Sequence, residues 1–176
     1  MPALQSQLQI ITLEQYEALP EDTRAAGRAT VKSFGVKSRF VHFEFFRLLE
    51  DHEGLGKKGD IMALEVNMRP CGGFTPDMIH FAHSTNVYKI WADMVAFDCD
   101  TKGTGNHHYG AFSSRRDGKQ YKLDDYEVMM KYGQKMVMWG RIPEALSGAM
   151  ANQMYVANFD TEEEMMAFYA DMAAQY

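Results

Sequence analysis

The sequence predicts a mixed α/β chain of the α+β type, a mainly antiparallel sheet with flanking helices. Three observations carry that expectation. Runs rich in Phe, Val and Ile, such as FVHFEFF, IMALEVN and QMYVANF, alternate with segments whose apolar residues recur at helical spacing. Strand-like runs joined by hairpin-length connections pair antiparallel, because a parallel pair needs a long crossover. With 176 residues, 46% apolar and 24% charged, the chain is long enough for one domain with a real core or two small ones.

Taken in order, the first fifteen or so residues carry no clear pattern. Thr12 with Gln15 can cap a short helix over 13–19, which Pro20 stops. Asp22 is expected to cap a longer helix, TRAAGRATVKSF, with Ala25, Val31 and Phe34 on one side and Gly35 ending it. SRFVHFEFFRLLED lacks helical polar periodicity and reads as a strand. The polar, glycine-bearing HEGLGKKGD then leads into a second strand, IMALEVNMR, which makes a β-hairpin with a long loop. Ser84-Thr85-Asn86 offers a cap for a helix in which Val87, Ile90, Trp91, Met94 and Val95 bury one face through about Phe97.

CDTKGTGN reads as a linker over 99–106. Beyond it come a strand (HHYGAFSS), a turn (RRDGK), a helix (LDDYEVMMKY) ending at Gly133, a strand (KMVMWGRI), a loop and a strand (QMYVANF). The last helix opens on Thr161 and Glu164 as a capping box and faces Met165, Phe168, Tyr169 and Met172 inward. The implied organisation is an unassigned segment at 1–20, a hairpin-bearing subdomain at 21–98, the linker, and a small α+β extension at 107–176. No internal repeat is evident.

Composition excludes some classes of function. Eighteen basic against 24 acidic residues give a net charge of −6, which argues against broad binding to nucleic acid or anionic membranes. Residues 1–20 lack a basic stretch followed by an apolar run, and no segment approaches the ~18 consecutive apolar residues of a membrane span. A cytoplasmic protein is therefore expected. Cys71 and Cys99 read as reduced thiols in that compartment, although one disulfide between them stays compatible with the sequence. The 14 methionines read as adaptable core filler.

The chemistry concentrates on the hairpin. Alternation puts His42, Glu44 and Phe46 on one face of the first strand and Glu65, Asn67 and Arg69 on one face of the second. If the hairpin closes near Gly54–Leu55, Glu44 lies opposite Glu65 and His42 opposite Asn67. Two facing carboxylates repel, so something must offset the charge. A divalent cation held by oxygens of Glu44, Glu65 and Asn67 does so economically, and hard oxygen ligands suit Mg²⁺ or Mn²⁺ rather than zinc. Mg²⁺ bound by one or two carboxylates completes its shell with water and phosphate, which points to a nucleotide or phosphorylated substrate. Arg69 would then stabilise charge on a transferring phosphoryl group or acyl-phosphate. Gly72 and Gly73 permit close backbone approach to a ligand, and Thr75-Pro76-Asp77 opens a helical turn whose amides can meet an anion. The competing account of E-x-N-x-R is a solvated sheet face with cross-strand ion pairs, and an off-by-one register would bury Glu44 without a partner.

These residues resemble the ATP-grasp superfamily. VHFEFF, a polar loop and ALEVNMRPCGG look like the metal-binding hairpin of carbamoyl-phosphate synthase large subunits, biotin carboxylases and related carboxylate–amine ligases. The resemblance is good over about 20–98 and weaker over 107–176, where VANFDTEEEMMAFYADM is similar to the ending of biotin-carboxylase-like chains. It implies that Glu44, Glu65 and Asn67 hold the Mg²⁺ (or Mn²⁺) of ATP, that Arg69 is catalytic at the acyl-phosphate centre, and that Gly72, Gly73, Thr75 and Asp77 bind substrate. The implied partners are ATP and a small carboxylate or bicarbonate, ligated to an amine, with homo-oligomerisation left open. A complete ligase of this kind also has an N-terminal α/β domain and a lid with a phosphate-contacting lysine, and neither is found in this sequence. The chain therefore resembles only the C-terminal half: a fragment, a split-gene subunit or a decayed relative. The alternative function is a non-catalytic or assembly subunit that needs a separate N-terminal half to form the ATP site.

Other signals are weaker. GLGKKG (54–59) lacks the Ser/Thr and spacing of a phosphate loop and reads as a hairpin tip. His80-x-x-His83 has no third ligand in sequence, His107-His108 reads as a strand start, and Arg115-Arg116 as a turn charge pair. Trp91 and Trp139 read as core anchors.

Overall fold

In the computed structural model, residues 20–99, 105 and 107–176 are described. The short helix expected at 13–19 and most of the linker expected at 99–106 lie outside them. The elements in chain order are α1 (Glu21–Ser33), β1 (His42–Arg47), β2 (Ile61–Asn67), α2 (Thr75–Ala82), α3 (Val87–Phe97), β3 (Tyr109–Arg115), α4 (Asp125–Tyr132), β4 (Met136–Arg141), α5 (Glu144–Met150), β5 (Gln153–Phe159) and α6 (Glu162–Ala173). The class is α+β, with two small antiparallel sheets, β1-β2 and β3-β5-β4. The described residues fall into two units. A hairpin unit draws on 20–76 and 86–99, and a sheet unit on 77–85, 105 and 107–176.

In the hairpin unit, α1 starts from Pro20 rather than from Asp22, and no side chain caps it. Asp22 is instead in the first turn, where its charge suits the helix dipole together with Glu21, while Lys32 occupies the last turn. Its carboxylate is held by the Arg47 guanidinium, at 2.8 Å and 3.0 Å, and Arg47 also donates to the Gly59 carbonyl at 2.7 Å. That fork fastens α1 to the base of the hairpin. At the other end, Gly35 adopts φ +59°. The Val36 and Gly35 amides reach back to the Val31 and Lys32 carbonyls, a Schellman ending that glycine makes accessible. α3 is capped as expected by Asn86, whose side chain accepts from the Lys89 amide at 2.8 Å.

The expected burial of one face of α3 is only partly realised. Val87 is the one buried apolar side chain among the unit's described residues, while Trp91, Val95 and Phe97 are exposed. A two-stranded hairpin with two helices has too little surface to cover them.

The sheet unit holds the core. β5 is its central strand and is buried along most of its length. Tyr155, Ala157 and Phe159 pack with Ala111, Val128, Tyr132, Met165, Phe168 and Met172. The rings of Tyr132, Phe159 and Phe168 stack edge-on or tilted at 5.1 to 6.2 Å. On the other face of β5, Asn158 donates to the Phe81 carbonyl of α2 at 2.9 Å, and Gly110 faces Ala82. α4 carries a complete capping box between Asp124 and Glu127, worth about 1 kcal/mol. At α6, Thr161 accepts from the Glu164 amide, but the Glu164 carboxylate reaches the Asp160 amide, one residue earlier than a capping box requires.

Three expectations are corrected here. The stretch after β4 is not a loop throughout, because α5 occupies most of it, started by Pro143. Trp139 is exposed rather than a core anchor, since it sits on β4 at the rim of a three-stranded sheet. Arg115 is not a turn charge but a buried one, at 3% exposure. Its guanidinium donates to the carbonyls of Leu123, Met172 and Asp171, and lies 4.4 Å from the centre of the Tyr121 ring. β3 carries it inward at the strand's end, where backbone carbonyls and an aromatic face replace its water.

Candidate functional site

The β1–β2 ladder decides which side chains face one another. His42 pairs with Asn67, Phe43 with Val66 and Glu44 with Glu65. The ladder then slips, so that Phe45 pairs with Ala63 and Leu64 is left as the extra residue of a bulge. The two carboxylates occupy directly opposed positions beside that bulge. His42 and Glu44 therefore share a face with Glu65 and Asn67.

The four side chains form one connected chain. His42 Nε2 lies 3.1 Å from Glu44 Oε1, and its Nδ1 lies 3.4 Å from Asn67 Nδ2. Asn67 Nδ2 also donates to Glu65 Oε1 at 2.5 Å. Glu44 is thus met by the His42 ring nitrogen and Glu65 by the Asn67 amide. Glu65 is exposed and the Glu44 side chain is 37% exposed, so water also screens the pair. The repulsion inferred from the sequence is smaller than for a buried pair, for both reasons.

Three oxygens have no partner among the described residues: Glu44 Oε2, Glu65 Oε2 and Asn67 Oδ1. Among those same residues, no group of three or more His, Cys, Asp or Glu side chains is arranged to hold a metal. A closed protein cage is not built on this face.

Past Asn67 the ladder ends, so the alternation that relates Arg69 to Asn67 in sequence is no longer enforced by pairing. Arg69 is exposed and donates to the Pro70 carbonyl at 2.9 Å. Burial pushes the Cys71 thiol up, while Arg69 lowers it and Glu44 raises it through their charges. Gly72 and Gly73 are exposed, open space surrounds the missing side chain of Gly72, and Gly73 adopts φ +61°, which favours glycine. Thr75 starts α2 and its amide reaches the Gly72 carbonyl at 3.4 Å, while Asp77 lies in the helix's first turn.

His42 is the member of this constellation to which sequence reasoning assigned no role. Its i, i+2 spacing from Glu44 was the available signal. Elsewhere, His83 is buried with Nδ1 at 3.1 Å from His107 Nδ1, and His108 pairs with Asp160. Cys71 and Cys99 are both free thiols. No helix among the described residues is long and apolar enough to cross a membrane. Compared with family models, curated proteins and solved structures, the chain matches none.

Proposed function

We propose that the β1–β2 hairpin is the cation-binding part of an ATP-dependent carboxylate–amine ligase site of the ATP-grasp kind, contributed by the C-terminal half of such an enzyme. The single observation that supports this most is the register: Glu44 opposes Glu65 and His42 opposes Asn67, leaving one unpartnered oxygen on each of Glu44, Glu65 and Asn67. Those residues would hold Mg²⁺ or Mn²⁺, which when bound neutralises ATP phosphate charge and makes the terminal phosphoryl group open to attack by a carboxylate or bicarbonate. Arg69 would swing from the Pro70 carbonyl to steady the acyl-phosphate until an amine displaces phosphate. Gly72 and Gly73 leave room for substrate to approach the backbone, and Thr75 and Asp77 begin the helix beyond it.

A second reading is that the chain acts only with a separate N-terminal half. It is favoured by the apolar surface of the hairpin unit: no residue of α1 is buried, and Phe34, Trp91, Val95 and Phe97 are exposed.

Calorimetric titration with Mg-ATP tests the first reading, repeated with EDTA and with Glu65→Ala. Heat that needs the metal and is lost in the variant supports a working half-site. Heat that survives EDTA or Glu65→Ala overturns the hairpin as its location. Absence of binding in the chain alone, restored by adding an N-terminal ATP-grasp half, selects the second reading.

A further inference from the structure

We infer that the cavity formed by the turn after β3, the start of α4 and the segment after α6 binds a small zwitterion with an aromatic body, of the amino-acid class. It lies wholly in the sheet unit and does not depend on the reading given to the hairpin. Its volume is about 630 Å³, inside the span of about 300–1,000 Å³ usual for small-molecule sites. Tyr121, Leu123, Tyr126 and Tyr176 supply its apolar lining.

Backbone pairing builds this cavity. The Lys122 amide donates to the Ala174 carbonyl at 3.0 Å and the Tyr176 amide to the Gln120 carbonyl at 3.3 Å, while Tyr121 and Gln175 form an antiparallel bridge. Tyr176 is thereby carried beside the turn, where it stays 88% exposed, and Tyr126 on the first turn of α4 stays 72% exposed. Two large rings left in water around one cavity are surfaces that an aromatic ligand can cover.

The charged lining is balanced, Arg115 and Lys119 against Asp124 and Asp125. Part of it is already held. Arg115 is buried and turned to backbone carbonyls, with Asp125 Oδ1 at 3.7 Å from its Nη1. The same Asp125 oxygen accepts from the Tyr155 hydroxyl, which burial and then Asp125 itself push up, so it stays a donor. Asp124 Oδ1 caps α4 by accepting from the Glu127 amide at 2.8 Å. What remains, without a partner among the described residues, is the second oxygen of each carboxylate and the Lys119 ammonium. Those free groups have opposite signs. A ligand with a single charge meets one of them as a like charge, whereas an ammonium and a carboxylate borne together match both.

The test is NMR titration of the full chain with L-phenylalanine, with phenethylamine, which lacks the carboxylate, and with hydrocinnamate, which lacks the ammonium. L-Phenylalanine is expected to shift the amides of 119–126 and of Tyr176 saturably. Each single-charge analogue should bind at least about tenfold more weakly, as one charged hydrogen bond is lost. Lys119→Met should bring L-phenylalanine down to the affinity of phenethylamine. Asp124→Asn, which keeps a capping oxygen for α4, should weaken L-phenylalanine and leave hydrocinnamate no weaker. Tyr126→Ala should weaken all three at an unchanged melting temperature, because its ring is exposed.

No saturable shift with any of the three ligands up to millimolar concentration overturns the site. Phenethylamine binding as tightly as L-phenylalanine makes the cavity a cation pocket, and hydrocinnamate doing so makes it an anion pocket. Either result overturns the zwitterion class. L-Phenylalanine binding that Tyr126→Ala and Lys119→Met leave unchanged lies elsewhere on the chain and overturns the cavity as its location. None of these outcomes bears on the hairpin, whose own test uses Mg-ATP.

Discussion

Arg115 Nη1 donates to the carbonyl oxygen of Leu123 at 2.7 Å, tying the end of β3 to the chain just before α4. The same guanidinium reaches Met172 and Asp171 at the end of α6. One buried cation therefore fastens the turn after β3 to the C-terminal helix.

Replacing Arg115 with Met should destabilise the sheet unit by about 3 kcal/mol, because carbonyls of three residues lose a charged donor in a place water reaches poorly. Arg115→Lys should recover little, since a single ammonium cannot reproduce a planar fork. Urea denaturation measures both. A loss under about 0.5 kcal/mol in Arg115→Met would mean the bonds are not formed in solution.

Phe168 and Phe97 separate the two units energetically. Phe168 is fully buried among Tyr132, Phe159 and Tyr169, and Phe97 is 74% exposed. Phe168→Ala should cost about 3–5 kcal/mol, and Phe97→Ala no more than about 0.5. Equal losses on thermal or urea unfolding would show that something covers Phe97 in solution.

Glu65→Gln separates a metal face from a solvated sheet face by the signs of two measurements. It removes the like charge opposite Glu44, so the metal-free chain should hold its stability or gain a few tenths of a kcal/mol. Mn²⁺ affinity should fall by at least about tenfold, as one carboxylate ligand is lost. Lower metal-free stability with unchanged Mn²⁺ behaviour would instead make Glu65 a structural member of the Asn67 contact.

Asp22 supplies a pH signature. The Arg47 guanidinium holds its carboxyl down to about 2 from an ordinary 3.8. A carboxyl depressed in the fold contributes stability that is complete above the unfolded value and lost as pH falls through the folded one. The Asp22–Arg47 link should therefore persist at neutral pH and open between about pH 4 and pH 2. NMR titration of the Asp22 carboxyl carbon checks this, and Arg47→Ala should return its midpoint towards 3.8.

The hairpin was legible because its information is local. Alternation in VHFEFF and ALEVN, with a polar glycine-bearing loop between them, was enough to place Glu44 against Glu65 and His42 against Asn67. The same locality made β5 and the Asn86 and Thr161 caps readable. Other features had no local signature. Leu64 is as good a strand residue as its neighbours, and only pairing decides that it is the bulge. Trp91 and Trp139 carry the composition of a core and yet stay exposed. Arg115 looks like any turn arginine until α6, more than fifty residues later, brings carbonyls to it.

By itself, then, the sequence determined the α+β class, the hairpin and the set of hard oxygen donors on one face, because period-two alternation and turn chemistry act over a few residues. Tertiary structure alone decided which apolar faces are covered and how His42 and Asn67 divide the contacts of the two carboxylates. It also turned Arg115 inward. Burial and hydrogen-bond partnership depend on what arrives from elsewhere in the chain, and no short stretch of sequence contains that.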